Sequence, residues 1–119
     1  MTLVFVYGTL KRGGSNHFLL AGQEFAGTAR TLPGFALYDL EGYPGMVADG
    51  AASEGISGEV WSVDPACLAE LDRLEGIEEG LYRRERVPLE PPFADKAVDA
   101  YLYLRSVSGR PRSGPDWKA

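Results

Sequence analysis

Cysteine is almost absent from this chain. Cys67 stands alone in 119 residues, which excludes an internal disulfide and a cysteine-rich zinc site. A reducing compartment fits that usage. Histidine is equally scarce: His17 is the only one, and no partner motif lies near it for a metal site or a His-dependent triad. Basic excess is missing too. Twelve Lys and Arg against 17 Asp and Glu leave a net charge of -5, which argues against general electrostatic binding to nucleic acid or to an acidic membrane. Lys11-Arg12 and Arg83 to Arg86 are local basic clusters, and neither makes a long stripe. No apolar run approaches the roughly 20 residues of a membrane span. Leu3–Val6 is also too short for a signal-peptide core. The expected location is the cytoplasm.

What is present suits one folded domain. Hydrophobic residues make up 45% of the chain, enough to bury a core and to argue against disorder. Short strands are expected over 3–6, 25–32, 35–40, 56–63, 82–90 and 97–104, with weak pairing at 46–48. Pro33-Gly34 and Glu41 to Gly45 supply turns. Asn16 is placed to cap a short helix over 17–21, ended by Gly22. Asp64-Pro65 is a strong helix start, and that helix is expected to run to Leu74 or Glu75 and stop at Gly76. Beyond Leu104 the composition turns to Ser, Gly, Pro and Arg. An irregular tail over 105–119 is expected, with Trp117 able to fold back as an anchor. The pattern suggests a small mixed sheet or barrel with a helix packed on it.

The most informative stretch runs from Val4 to Gly14. An apolar strand stops abruptly in a glycine-bounded loop. Tyr7 and Thr9 bring hydroxyls to the strand's end beside backbone N–H groups, so the loop could hold a carboxylate or a carbonyl oxygen. Gly8 and Gly13 match the outer positions of a phosphate-binding P-loop, but Gly14 stands where its lysine should be. Nucleotide binding is disfavoured for that reason.

A second stretch, Leu68 to Gly76, carries an oddly placed acid. At about 100° per residue, Cys67, Leu68, Leu71 and Leu74 form one apolar face, and Glu75 falls near its middle. Burial and the helix C-terminus would both raise its pKa toward the range useful for proton transfer. The alternative is a helix one residue shorter, with Glu75 turned into solvent. Asp72 is expected to bond a backbone group or pair with an arginine. Cys67 reads as a small core residue. Tyr82, Tyr101 and Tyr103 suit either a pocket or sheet packing.

Phe5-Val6-Tyr7-Gly8-Thr9-Leu10-Lys11-Arg12-Gly13, Leu71-Asp72-Arg73-Leu74-Glu75-Gly76 and Tyr82-Arg83-Arg84 together resemble the γ-glutamylcyclotransferase-like superfamily. They are most similar to its γ-glutamylamine cyclotransferase and AIG2-like branch. Gly42-Tyr43-Pro44-Gly45, Gly58 to Asp64 and Tyr101-Leu102-Tyr103 follow in the family's order. The resemblance covers nearly the whole chain up to Leu104.

It implies an α+β fold, a small mixed β-barrel with flanking helices, over residues 1–104. It implies that Tyr7, Gly8, Thr9 and Leu10 hold the glutamyl part of a substrate, that Tyr82 lines the pocket, and that Glu75 is the catalytic acid/base. The implied reaction converts a γ-glutamyl amine to 5-oxoproline and a free amine, with no metal and no cofactor. A monomer or a homodimer is compatible with it. Two other readings are kept: a non-catalytic binding or interaction domain on the same fold, and a glutathione-directed cyclotransferase, which the short chain and AIG2-like spacing disfavour.

Overall fold

The computed structural model describes residues 1–118; Ala119, the end of the expected tail, lies outside them. Seven strands, one short 3-10 helix and one α-helix make up the fold: β1 (Thr2–Val6), the 3-10 helix (His17–Leu20), β2 (Glu24–Arg30), β3 (Phe35–Asp39), β4 (Pro44–Ala48), β5 (Ser57–Val63), α1 (Pro65–Leu74), β6 (Tyr82–Arg86) and β7 (Val98–Tyr103).

β1 is central because both its faces and both its edges can be covered. It runs antiparallel to β5, from Thr2 opposite Val63 to Val6 opposite Glu59, and parallel to β7 at Leu3–Val98 and Val4–Asp99. Val4, Phe5 and Val6 are buried, as an uninterrupted apolar run on a central strand must be. Each such side chain stabilises the fold by about 1.5–3 kcal/mol. The five-stranded sheet has the order β2-β5-β1-β7-β6, and β3 and β4 form a separate two-stranded ribbon.

Side chains alternate between two cores. On one face Phe5, Val60, Val98, Ala100 and Leu102 meet Leu37 and Met46 of the ribbon. On the other Val4, Val6, Trp61 and Val63 meet Cys67 and Leu71 of α1. The expected barrel is corrected by this arrangement. β2 and β6 remain sheet edges, and the ribbon pairs with no strand of the large sheet, only within itself and through an isolated bridge from Tyr38 to Arg112 of the tail. The α+β class stands, with helix, sheet and ribbon stacked as layers rather than a closed wall.

The ends of α1 follow from its sequence. Asp64 Oδ1 accepts the Cys67 N–H at 2.7 Å, and Pro65 occupies the first turn. At the other end Gly76 adopts φ +67°, so that Ile77 N–H reaches Asp72 O and Gly76 N–H reaches Arg73 O, both at 3.2 Å. That is a Schellman stop, which favours glycine at this backbone position. The expected helix over 17–21 is only a 3-10 turn. Asn16 makes no side-chain cap bond to it; its Nδ2 instead donates to Thr9 Oγ1 at 2.9 Å.

Residues 105–118 contain no named helix or strand but are tied along the ribbon. Asp39 N–H donates to Pro111 O and Ser113 N–H to Leu37 O, each at 2.9 Å. Trp117 packs against the ribbon-side core, and Lys11 Nζ bonds both Asp116 and the Trp117 carbonyl.

Candidate active site

Where β1 ends, the chain opens a cleft. Phe5 to Leu10 form one wall, and Tyr43, Pro44, Glu75, Tyr82 and Tyr101 form the rest. All six residues singled out from the sequence, Tyr7, Gly8, Thr9, Leu10, Glu75 and Tyr82, therefore meet in one place. The lining includes no Lys or Arg. The neighbouring cations are occupied elsewhere: Lys11 with the tail, and Arg12 with Glu59, where Nε lies 3.0 Å from Oε2.

The loop curls back on itself after Leu10. Lys11 N–H donates to Gly8 O at 3.1 Å, Gly14 N–H to Lys11 O at 2.8 Å and Asn16 N–H to Thr9 O at 3.0 Å. A Cβ on Gly14 would lie 2.1 Å from Thr9 O, so this return requires glycine. Gly8, Thr9 and Leu10 N–H find no acceptor among the described residues. Consecutive free donors at a cleft wall suit an anion or a carbonyl oxygen.

The ribbon supplies the facing wall. Asp39 Oδ1 accepts N–H bonds from Glu41 at 2.9 Å and Gly42 at 3.2 Å, which turns the chain so that Tyr43 and Pro44 enter β4 over the loop. Two phenols brace this approach. Tyr7 Oη donates to Tyr101 O at 2.7 Å and accepts the Met46 N–H at 3.1 Å. Tyr82 Oη donates to Pro44 O at 2.9 Å. Both expected hydroxyls are at the strand's end, but each has partners: Tyr7 Oη is held between Tyr101 O and Met46 N–H, and Thr9 Oγ1 accepts Asn16 Nδ2 at 2.9 Å. Tyr43 and Pro44 were missed as site residues. Their only signal was the Tyr-Pro-Gly turn, whose position depends on tertiary packing.

Glu75 is the C-cap of α1 rather than its last helical residue. Its backbone is still right-handed, φ -80° and ψ -3°, and its N–H reaches Leu71 O at 2.9 Å. The helical projection therefore carries one residue past the helix and aims the side chain into the cleft instead of into solvent. Among the described residues its carboxylate has neither a hydrogen-bond donor nor an ion-pair partner. Burial pushes its pKa from 4.5 up to about 7. The Tyr7, Tyr82 and Tyr101 phenols are held protonated, chiefly by burial and further by the Glu75 charge.

One turn earlier, Asp72 has no such freedom. It accepts Arg84 Nε at 2.9 Å and Tyr101 Oη at 2.7 Å, and Arg84 Nη1 reaches Asp99 at 2.9 Å. The arginine pairing expected for Asp72 is thus present. Leu74 departs from the expected apolar face: it is 41% exposed because α1 ends beside the cleft, where no element covers it. Tyr103 packs on Tyr82 with ring centroids 5.2 Å apart. Cys67 is buried with its thiol donating to Leu19 O, and burial raises its pKa, as suits the small core residue expected. His17 Nδ1 lies 2.9 Å from Leu10 O, its ring edge-on to Trp61. It braces the back of the loop.

The fold and the cleft define a small α+β protein with one unpaired acid facing a backbone loop. A sequence model of the family described as gamma-glutamyl cyclotransferase, AIG2-like, matches residues 4–119, and the chain belongs to this family. A Vibrio cholerae protein named as a candidate gamma-glutamylcyclotransferase is 41% identical over 115 residues, covering 97% of this chain and 94% of that protein. The human protein named gamma-glutamylaminecyclotransferase is 34% identical over 124 residues, covering 90% and 80%. Among solved structures, an AIG2-like protein from Mus musculus superposes with a TM-score of 0.75 at 25% identity, covering 95% of this chain and 86% of the other.

Proposed function

We propose that this protein is a cyclotransferase that converts a γ-glutamyl amine to 5-oxoproline and the free amine. The observation that carries the reading is Glu75: an unpaired carboxyl with a pKa near 7, in one cleft with Gly8, Thr9 and Leu10, whose N–H groups find no acceptor among the described residues. A group titrating there can both take and give a proton near neutral pH.

The substrate would supply its own nucleophile. Its α-amine attacks the γ-carbonyl carbon, a C–N bond forms to close the five-membered lactam, and the C–N bond to the leaving amine breaks. Glu75 takes the proton lost by the attacking nitrogen and returns it to the departing one, so protons balance. Gly8, Thr9 and Leu10 N–H would hold the α-carboxylate or the developing oxyanion. With no cation lining the cleft, backbone donors are the available partners for either. Curling the substrate so that amine and carbonyl touch would supply much of the acceleration. No catalytic Ser, Cys or His is needed, which agrees with a buried Cys67 and a His17 spent on the loop.

The family relation supports the acyl chemistry, and the name of the human relative supports an amine as leaving group. No helix among the described residues is long and apolar enough to cross a membrane. A cytoplasmic enzyme acting on a small γ-glutamyl amide is the corresponding proposal for location and partner. The test is incubation with a panel of γ-glutamyl amines and detection of 5-oxoproline by mass spectrometry. Release that depends on Glu75 supports the enzyme. Saturable binding of the panel without any 5-oxoproline would favour the non-catalytic binding domain.

A further inference from the structure

A second recess opens beside the cleft. Thr9, Tyr43, Glu75 and Tyr82 line both, so the two share a boundary at the reacting carboxyl. The recess continues outward over Leu74 and Leu81, with Ser15, Asn16 and Gly42 at its sides. It encloses about 690 Å³ counting its solvent-open mouth, against about 380 Å³ for the cleft. Leu74 and Tyr43, 41% and 42% exposed, offer it bare apolar surface.

We propose that this recess receives the leaving amine and selects one with an apolar chain and no carboxylate, such as an alkyl or arylalkyl amine. This rests on the cyclotransferase reading above. The argument begins with direction. The departing nitrogen must come within reach of Glu75 to be protonated. With the glutamyl part held on the loop side, its substituent extends to the other side of that carboxyl. That side is the recess.

Charge then decides the class. Glu75 is the only Asp, Glu, Lys or Arg among the recess's lining residues. An amino acid or dipeptide leaving group carries a carboxylate, and nothing in the lining offers it a cation. Covering an unpaired charge is costly, whereas covering a hydrocarbon chain is favourable. Leu74, Leu81 and the two tyrosines supply such cover. Asn16 adds no free charge-like donor pair, since its amide already bonds Thr9 Oγ1.

The test compares kcat/KM for 5-oxoproline release from the γ-glutamyl methyl-, propyl- and pentylamides, γ-glutamyl-ε-lysine and glutathione. The pentylamide and the lysine compound share a five-carbon chain and differ only in the lysine's α-ammonium and carboxylate. Expected is a rise of about fourfold per added methylene until the recess is filled, with the pentylamide preferred over the lysine compound by about tenfold or more. Leu74→Lys should narrow that ratio by offering the carboxylate a cation. A flat chain-length series, or a lysine compound turned over as well as the pentylamide, overturns the subsite and leaves the cyclotransferase reading standing. No 5-oxoproline from any member overturns both.

Discussion

A Cβ built on Gly8 would lie 2.5 Å from Cγ of Pro44 and 2.8 Å from its Cδ. A proline ring cannot swing aside as a flexible side chain could. The bare backbone of Gly8 in the loop after β1 therefore packs directly on the Pro44 ring at the start of β4, both of which line the cleft. Gly8→Ala must push β4 outward, an overpacking that costs about 1–3 kcal/mol. The expected outcome is a folded protein with a lower melting temperature and a KM raised more than kcat is lowered. Gly8→Val should show both effects more strongly. Steady-state kinetics and a thermal melt on the two variants check this, and a wild-type KM in Gly8→Val would remove the loop from the binding site.

Glu75→Gln keeps the shape of the side chain and removes its proton chemistry. Turnover should fall by about 10²- to 10⁴-fold, the usual contribution of a positioned acid/base. Because the wild-type carboxyl titrates at about 7, its base form is lost as the medium is acidified below that value. The wild-type rate should then drop about tenfold per pH unit. The residual rate of Glu75→Gln should lack that acid limb. A pH–rate profile of both proteins decides it. An acid limb near 7 that persists in the variant would assign the titration to another group.

The legibility of this site in the sequence was uneven for physical reasons. Periodicity put Glu75 on the apolar face but left open a shorter helix with Glu75 in solvent, and the family resemblance singled it out. The helix does end at Leu74, yet the face is kept because the C-cap backbone is still right-handed. A backbone bond or an arginine partner could be expected for Asp72, but not that the arginine would be Arg84 or that Tyr101 would join them. Tyr43 and Pro44 were invisible as site residues, since only the packing of the ribbon over the sheet brings them to Gly8. Leu74 misled, because periodicity reports the face a residue lies on and not whether anything covers it. The barrel misled similarly. Alternating strands imply buried faces, but closure depends on which edges pair, and the end of β2 meets the chain after β6 only at the isolated Thr31–Leu89 bridge.

Tyr7 and Tyr82 make a matched pair of tests for the brace beneath the cleft. Tyr82→Phe removes one hydrogen bond, to Pro44 O, and should cost about 0.5–1.5 kcal/mol. Tyr7→Phe removes a donor to Tyr101 O and strands the buried Met46 N–H, which should add about 1–3 kcal/mol for the orphaned group. The predicted order in denaturant titrations is therefore wild type, then Tyr82→Phe, then Tyr7→Phe. The reverse order would mean that the Tyr7 hydroxyl does not hold β4 in solution.

Stability should carry the signature of Glu75 as clearly as activity does. Its folded pKa is raised, so the folded state holds a proton that the unfolded state gives up above about 4.5. Below that pH both states are protonated and the group costs nothing. As pH rises from about 4.5 to about 7 the unfolded state is increasingly favoured, and above about 7 the full penalty applies. A shift of this size corresponds to at most about 3 kcal/mol, and solvent reaching the cleft will reduce it. Glu75→Gln, which has no charge to bury, should be more stable than wild type at pH 8 and indistinguishable from it at pH 4. Urea melts at the two pH values measure the difference directly. An advantage that is equal at both would have to come from packing, and would remove the desolvated carboxyl on which the proposed proton transfer depends.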